Sequence, residues 1–374
     1  METATVIVEG DFQTAISPVT PARWLEWLRR ELAPSPGRWE MTIRLVVGVV
    51  LVTVISMSLQ VPEAALSAYM VFFVTKEDRI RTALAGVLLA VGATVAIGAS
   101  LLLFKCTLDF AALRVISMAA LLFAGMYLSR VFVIGPLGFA IGFVMAAAQS
   151  FVDGAPGAEL AVRALLWLWV VIVYPIALTV VLNQILLPAH PRAAPGPKPA
   201  AAAKTKKSLF VADAFTNPAH VRFALKVTLA AMACYLIYTG LDWPGIHTAF
   251  ITCCFIALES TRATLRKGWL RLCGCLLGGA LGFLAILYLV PRMETIASLA
   301  SLVAGVSALA GWIAAGSQRI AYAGLQIAFA FFLAIFQGFA PATDLTVLRD
   351  RVAGIVLGIV VTSVVFRYLW PDEQ

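Results

Sequence analysis

Charged side chains are scarce in this chain. Only 13% of its 374 residues are Asp, Glu, Lys or Arg, whereas 61% are hydrophobic. Soluble domains average about 25% charged and about 45–50% apolar residues, so the composition excludes a water-soluble enzyme. Because one bilayer crossing takes about 20 residues, a dozen crossings would use about 240 and leave no room for a large soluble domain.

Residue types for catalysis or metal binding are also few. The chain has three scattered histidines, and its six cysteines lie in or beside apolar stretches. It contains no Gly-rich phosphate loop, no nucleophile elbow and no zinc-type pairing of Cys with His. The sequence therefore predicts no catalytic residue, no metal site and no cofactor.

The net charge of +8 does not indicate a nucleic-acid partner, because the basic residues lie at the ends of apolar runs and not on one solvated face. Positive residues beside membrane spans mark the cytoplasmic side. Basic clusters occur in the N-terminal segment, the 76–81 loop, the central linker and the 262–267 loop. All four fall on one side if six spans precede the linker, so we expect both termini in the cytoplasm.

The apolar runs divide the chain into four parts. Residues 1–40 are polar and include an amphipathic stretch at 21–32, which fits either a helix in the membrane interface or one packed on the protein. Six runs follow in residues 41–188, a Pro-, Ala- and Lys-rich linker with a pre-helix occupies 189–221, and six more runs lie in 222–374. The second run of each set is only about 12 residues long and is either a tilted or a broken span.

The two halves repeat a pattern of polar residues. Gln149 and Arg163 recur as Gln337 and Arg351, with the same spacing inside each pair. A duplication with six spans per copy gives both copies the same orientation in the membrane. The predicted fold is therefore an all-α integral membrane protein of about twelve transmembrane helices, arranged as two parallel six-helix repeats around a central cleft.

Glycine recurs at every fourth position in several apolar runs, as at Gly274, Gly278 and Gly282. This spacing lets two helix backbones approach closely. We expect these glycines to face a neighbouring helix.

Ionisable and amide side chains at membrane depth are costly and often functional. An inner basic set would either gather anions from the cytoplasm or snorkel to the interface. An outer arginine set would bind a substrate carboxylate or pair with neighbouring acids, and three glutamines would bind substrate or hold helices together. The candidate substrate-binding residues are Arg44, Arg222 and Lys226 in the inner set, Gln149, Gln326 and Gln337, and Arg163 and Arg351 in the outer set.

Proton-driven transport would require an acid or a histidine that changes protonation. The coupling candidates are Asp242, His247 and Glu259, which lie around the eighth apolar run. Turn formation in the segment 242–245 is a sufficient alternative explanation for Asp242.

Three strings of the second half resemble a known family. They are ADAFTNP at 212–218, DWPGIHT at 242–248 and RDR at 349–351, and they are similar to sequences of the fusaric acid resistance or aromatic acid exporter family. The resemblance implies a multi-pass efflux subunit of the bacterial inner membrane that works with a periplasmic membrane-fusion adaptor and an outer-membrane channel. It also implies export of aromatic carboxylic acids and some cationic drugs. Members of the family commonly carry cytoplasmic domains between the halves and after the last span, and this sequence has only short segments there.

The preferred interpretation is a transporter that exports small aromatic or amphipathic compounds, expected to be anionic, as part of a tripartite system. The implied partners are the small-molecule substrate, the lipid bilayer, the adaptor and the channel, and a homo-oligomer is left open. Two alternatives remain: a passive organic-anion channel and a non-transporting assembly subunit.

Overall fold

The apolar runs form helices in the order in which they occur along the chain. A short helix, α1 (Pro21–Leu32), precedes them. The computed structural model describes residues 21–154, 157–186, 209–258, 260–337, 340–341 and 345–369.

Each half contributes six helices. The first half forms α2 (Arg38–Ser58), α3 (Ala64–Val74), α4 (Arg79–Thr107), α5 (Ala111–Val131), α6 (Gly135–Gly154) and α7 (Ala158–Leu186). The second half forms α8 (Pro218–Gly240), α9 (Thr248–Ile256), α10 (Thr261–Leu284), α11 (Ile296–Ala314), α12 (Ala321–Ile335) and α13 (Thr346–Tyr368). A short antiparallel pair, β1 (Phe336–Gln337) and β2 (Ala340–Pro341), lies between α12 and α13.

Within the described ranges, nine helices are long and apolar enough to cross a membrane. The helices α3 and α12, and α9 together with the turn before it, are shorter. The predicted all-helical membrane class is therefore confirmed. The count of twelve crossings and the parallel orientation of two repeats remain predictions.

Large apolar side chains cover the outside of the molecule. On α4, Leu84, Val87, Val91 and Val95 are all more than half exposed, and they follow helical spacing. Such a stripe suits contact with lipid, because soluble monomers rarely expose a large contiguous apolar surface.

The same helix pairs pack in each half. The first helix contacts the second, the second contacts the sixth and the third contacts the fifth, as in α2 with α3, α3 with α7 and α4 with α6. The corresponding pairs α8 with α9, α9 with α13 and α10 with α12 are also in contact. Between the halves, α2 packs on α11 and α5 on α8. This recurrence supports the predicted duplication.

Close glycine contacts hold α10 against α12. A Cβ atom on Gly274 would lie 2.7 Å from the carbonyl oxygen of Ala323, and one on Gly278 would collide with the carbonyl oxygen of Ile327. The expectation that these glycines face a neighbouring helix is therefore confirmed. They bring the two helices to backbone contact in the centre of the second half.

The end of α1 is attached to the helical body. Arg38 Nη1 donates to the carbonyl oxygens of Glu31 and Ala33, and Trp312 Nε1 donates to that of Leu32 at 3.0 Å. Leu28 and Leu32 nevertheless remain partly exposed. The attachment supports packing on the protein at this end, and placement in the membrane interface remains a prediction.

Candidate functional site

Two of the predicted basic residues lie on the surface. Arg222 is exposed, and the exposed Arg163 forms an ion pair with Glu159 at 2.7 Å, one helical turn away. For Arg163 the structure favours pairing with a neighbouring acid, which was the structural alternative from the sequence.

Arg44 is buried and joins three parts of the first half. Its Nη1 atom donates to Asn183 Oδ1 on α7 and to the carbonyl oxygen of Lys76, both at 3.0 Å, and its Nε atom donates to the carbonyl oxygen of Glu40. A guanidinium engaged on so many sides holds helices together, so it does not act as a snorkelling side chain. Lys226 is also buried, with its Nζ atom 5.3 Å from the centre of the Phe366 ring.

The predicted glutamines differ in their surroundings. Gln149 is buried and accepts a hydrogen bond from Thr107 Oγ1 at 2.8 Å, which links α6 to α4. Gln326 is buried in α12 and accepts from Arg271 Nη1 at 3.2 Å. Gln337 lies in β1, and its side chain is outside the described part.

Two of the three coupling candidates are exposed in the structure. Asp242 is exposed in the turn after α8 with a φ of 50°, which agrees with a role in the turn. His247 is exposed, and its Nδ1 atom lies 3.0 Å from the carbonyl oxygen of Pro244. Glu259 lies outside the described residues.

Arg271, which the sequence reasoning did not single out, lies at the centre of a buried polar cluster. It is 2% exposed in the middle of α10. Its Nε atom donates to Thr252 Oγ1 of α9, and its Nη1 atom donates to Tyr322 and Gln326 of α12, all at 3.2 Å. The signal that would have found Arg271 is a lone arginine in the apolar run 268–290.

Arg351 lies beside this cluster and contacts aromatic rings. It is 4% exposed on α13, and its guanidinium carbon lies 4.3 Å from the centre of the Phe329 ring of α12. The ring of Tyr69 on α3 stacks on the same Phe329, with ring centres 4.3 Å apart at 25°. Arg351 also contacts the thiol of Cys275 on α10. Four helices from both halves thus meet around one guanidinium.

The site is strongly cationic. In the ranges that the structure describes, neither Arg271 nor Arg351 forms an ion pair with a carboxylate, and the fully buried side chains with a formal charge are all basic. The two guanidinium groups are close enough to repel each other. Because an uncompensated buried charge is strongly unfavourable, this arrangement favours binding of an anion.

A cavity of about 400 Å³ lies among α2, α3, α11 and α12. Lys76, Glu77 and Arg81 line it at the loop between α3 and α4, whereas Phe72, Phe73 and Leu325 line its apolar part. Tyr69 lies one helical turn beyond Phe72 and Phe73 on α3, and Phe329 lies one turn beyond Leu325 on α12. The Tyr69–Phe329 stack therefore lies one turn beyond the cavity lining on both helices, whereas Arg271 contacts Tyr322 and Gln326, which lie beside the lining residues of α12.

The family-like string at 212–218 starts α8. Asn217 Oδ1 accepts from the backbone N–H of Ala219 at 3.0 Å and so caps the helix, while its Nδ2 atom donates to Asp213 Oδ2 at 2.9 Å. This second hydrogen bond lowers the pKa of the Asp213 carboxyl below its ordinary value. The contact thus stabilises the fold above the ordinary pKa of Asp and is lost as the pH falls through the lowered pKa.

Asn217→Ala is expected to lower the stability at neutral pH by about 1 kcal/mol, the usual effect of losing a helix cap. Thermal unfolding of the protein in nanodiscs measures this change. Asn217→Ser keeps a capping oxygen and should retain most of the stability. An Asn217→Ala variant with the melting temperature of the wild type would show that the cap at Asn217 does not stabilise the start of α8.

The match to a family profile lies in the second half of the chain. A sequence profile described as "Fusaric acid resistance protein-like" matches residues 230–365, a range that contains Arg271, Phe329 and Arg351. No solved structure matches the chain.

Curated relatives of the chain carry the name "Multidrug resistance protein MdtO". The chain is 39% identical over 179 residues to the one from Escherichia coli O6:H1, and 38% identical over 179 residues to those from Shigella flexneri and E. coli K12. Each alignment covers 48% of this chain but only 26% of the relative, so the chain matches about a quarter of their length. The profile and these relatives confirm the resemblance predicted from the sequence strings: the chain is similar to the fusaric acid resistance protein-like family over residues 230–365.

Proposed function

We propose that this chain is the membrane part of an efflux transporter that exports small aromatic or amphipathic anions across the bacterial inner membrane. The observation that carries the proposal is the cavity, which has Lys76 and Arg81 beside the single acid Glu77 at one end and apolar residues at the other. The basic end attracts anions by long-range electrostatics. The apolar end suits the hydrophobic part of an amphipathic molecule.

The direction of transport follows from the predicted topology. The loop that contributes Lys76 and Arg81 to the cavity is one of the basic loops expected on the cytoplasmic side. A cavity that opens there and ends at the Tyr69–Phe329 stack corresponds to an inward-facing state. The predicted parallel repeats would then rock around the shared centre to open the other side.

The partners are proposed from the family. A multidrug resistance function in the named relatives supports assembly with a periplasmic membrane-fusion adaptor and an outer-membrane channel. Asp242, His247 and Glu259 stay proposed as proton-coupling residues, and Arg222, Lys226, Gln149 and Gln337 as residues along the substrate route. The contacts of Arg44 and Arg163 favour structural roles for these two predicted residues.

The two alternative functions make different demands on the structure. A passive anion channel needs a continuous path, and the packed contact between Tyr69 and Phe329 interrupts it. An assembly subunit needs no unneutralised guanidinium in its interior. Burial of Arg271 and Arg351 without an acid from the described ranges would only destabilise it. Both observations favour the transporter.

Uptake into inverted membrane vesicles tests the proposal. We expect saturable accumulation of aromatic acids such as salicylate in vesicles that contain the protein, and none in vesicles without it. Arg81→Gln should raise the KM for the acid by about two- to fivefold at low ionic strength, because it removes a charge from the cavity entrance. Arg79→Gln, in the same loop but outside the cavity lining, is the matched control.

Salt and pH separate the alternatives. The effect of Arg81→Gln should shrink at high ionic strength. Accumulation that needs no pH gradient and follows only the membrane potential would favour the channel. Vesicles with folded protein that accumulate neither acids nor cationic dyes would contradict the transporter.

A further inference from the structure

We propose that Arg351, Arg271 and Phe329 form a binding site for a carboxylate group attached to a planar aromatic ring, and that the side chain of Tyr69 occupies the ring position of this site in the present conformation. This inference rests on the proposed function and assigns its substrate to particular side chains. It makes Tyr69 an internal competitor of the substrate.

The anion-binding half of the site is the edge of the Arg351 guanidinium group that carries Nε and Nη2. Among the described residues, its Nε and Nη2 atoms have no hydrogen-bond partner, although the side chain is only 4% exposed. These two atoms form one edge of the guanidinium fork, and a carboxylate accepts both N–H groups of such an edge at once. Arg271 adds a second positive charge nearby.

The ring-binding half of the site is the face of Phe329. Tyr69 stacks there at 4.3 Å, which is within the usual range for offset aromatic pairs. The Tyr69 side chain is also close enough to experience the charges of Arg271 and Arg351. An aromatic acid in place of Tyr69 would keep the ring contact and would bring a full negative charge within electrostatic range of both arginines.

Access follows from the position of the cavity. Phe72 and Phe73, which line the cavity, lie one turn from Tyr69 on α3, so a substrate that enters from the basic end reaches the Tyr69–Phe329 stack next. Binding at the arginines then requires the Tyr69 ring to leave Phe329. A substrate without a ring gains no stacking and a substrate without a carboxylate leaves Arg351 unpaired, so both should bind more weakly.

Tyr69→Ala tests the site without the need for transport. Removal of a buried ring leaves a cavity that a small aromatic molecule can fill. We expect benzoate to raise the melting temperature of this variant in nanodiscs roughly twice as much as the neutral benzamide does, because a charge-assisted hydrogen bond is about twice as strong as a neutral one. The preference for benzoate should disappear in Tyr69→Ala combined with Arg351→Gln.

Tyr238→Ala provides a matched control. Tyr238 is also buried, on α8, and its ring packs edge-on against Tyr235. Its removal should create a space that shows no preference for the acid over the amide. If Tyr69→Ala does not fold, Tyr69→Leu and equilibrium dialysis of labelled benzoate against the wild type and Arg351→Gln give the same comparison.

Two results would overturn the inference. One is equal stabilisation of Tyr69→Ala by benzoate and benzamide, and the other is a benzoate preference that persists without the Arg351 guanidinium. The outcomes also separate this inference from the proposed function. Arg351-dependent benzoate binding without uptake into vesicles would remove the transporter and keep the site, whereas uptake by the wild type without that binding preference would remove the site alone.

Discussion

Replacing Gly278 by valine should prevent α10 from packing on α12, with loss of most of the folded protein. A side chain at this position has no space, because even its first carbon atom would collide with the backbone oxygen of Ile327. Overpacking of a well-filled core usually costs about 1–3 kcal/mol, and a clash with backbone belongs at or above the upper end of that range. The yield of monodisperse protein in detergent and its melting temperature measure the effect.

Gly305→Val is the matched control for that substitution. Gly305 is also a helical glycine of the second half, but a Cβ atom there would have no neighbour within 4 Å. We expect this variant to keep the yield and melting temperature of the wild type within a small margin. Equal behaviour of the two valine variants would mean that the contact between α10 and α12 is looser than the structure shows.

Arg351→Gln should abolish most transport of aromatic acids while the protein still folds. Removing one partner of a buried, hydrogen-bonded charge pair costs about 2–5 kcal/mol of binding free energy, which corresponds to about a 30-fold or larger weakening of binding. In inverted vesicles we expect this loss as a rise in KM for the acid. Arg351→Lys should recover only part of the affinity, because a lysine cannot form a two-pronged contact with a carboxylate.

Arg163→Gln controls for a general effect of removing an arginine. Arg163 occupies the repeat-related position of the first half, but it is exposed and paired with Glu159. Exposed ion pairs contribute about 0–1 kcal/mol, which corresponds to at most about a fivefold change, so its removal should affect uptake far less than Arg351→Gln does. If Arg163→Gln impairs uptake as strongly as Arg351→Gln while both variants remain folded, the two repeats share the function equally and the assignment of the site to the second half is wrong.

Hydrophobicity alone identified the helices but not all of their lengths. The apolar runs located α2 to α13, and the shortness of α3 and α9 followed from run length. The shortness of α12 did not, because its apolar run continues past Ile335 while the helix ends there and Phe336 begins a strand. Apolar composition does not distinguish a helix from a buried extended segment.

The candidate site was only partly accessible from the sequence. Arg351 and Gln326 were singled out as polar residues at membrane depth, and both lie at the buried cluster. Arg44 was singled out by the same reasoning and instead connects α2 to Asn183. Sequence position gives the depth of a side chain in the membrane, but the contacts across the bundle that decide its partner come from residues far away in the chain.

Tyr69 and Arg271 belong to the site, but the sequence reasoning did not single them out. Nothing in the string around Tyr69 differs from an ordinary apolar helix, and its importance arises from the distant Phe329 that it meets. Arg271 was detectable as a charge within an apolar run, yet its hydrogen bonds to two other helices depend on the packing of α9, α10 and α12.

The glycine seam between α10 and α12 determines which parts can move during a transport cycle. Backbone in direct contact with backbone has no side chains that could change rotamer and allow sliding, so these two helices should travel as one rigid body. Their contact with α3 is made through the flat rings of Tyr69 and Phe329, which can separate and meet again without breaking any helix. The moving boundary would then run along this aromatic contact, with both arginines and Phe329 on one side of it and Tyr69 on the other.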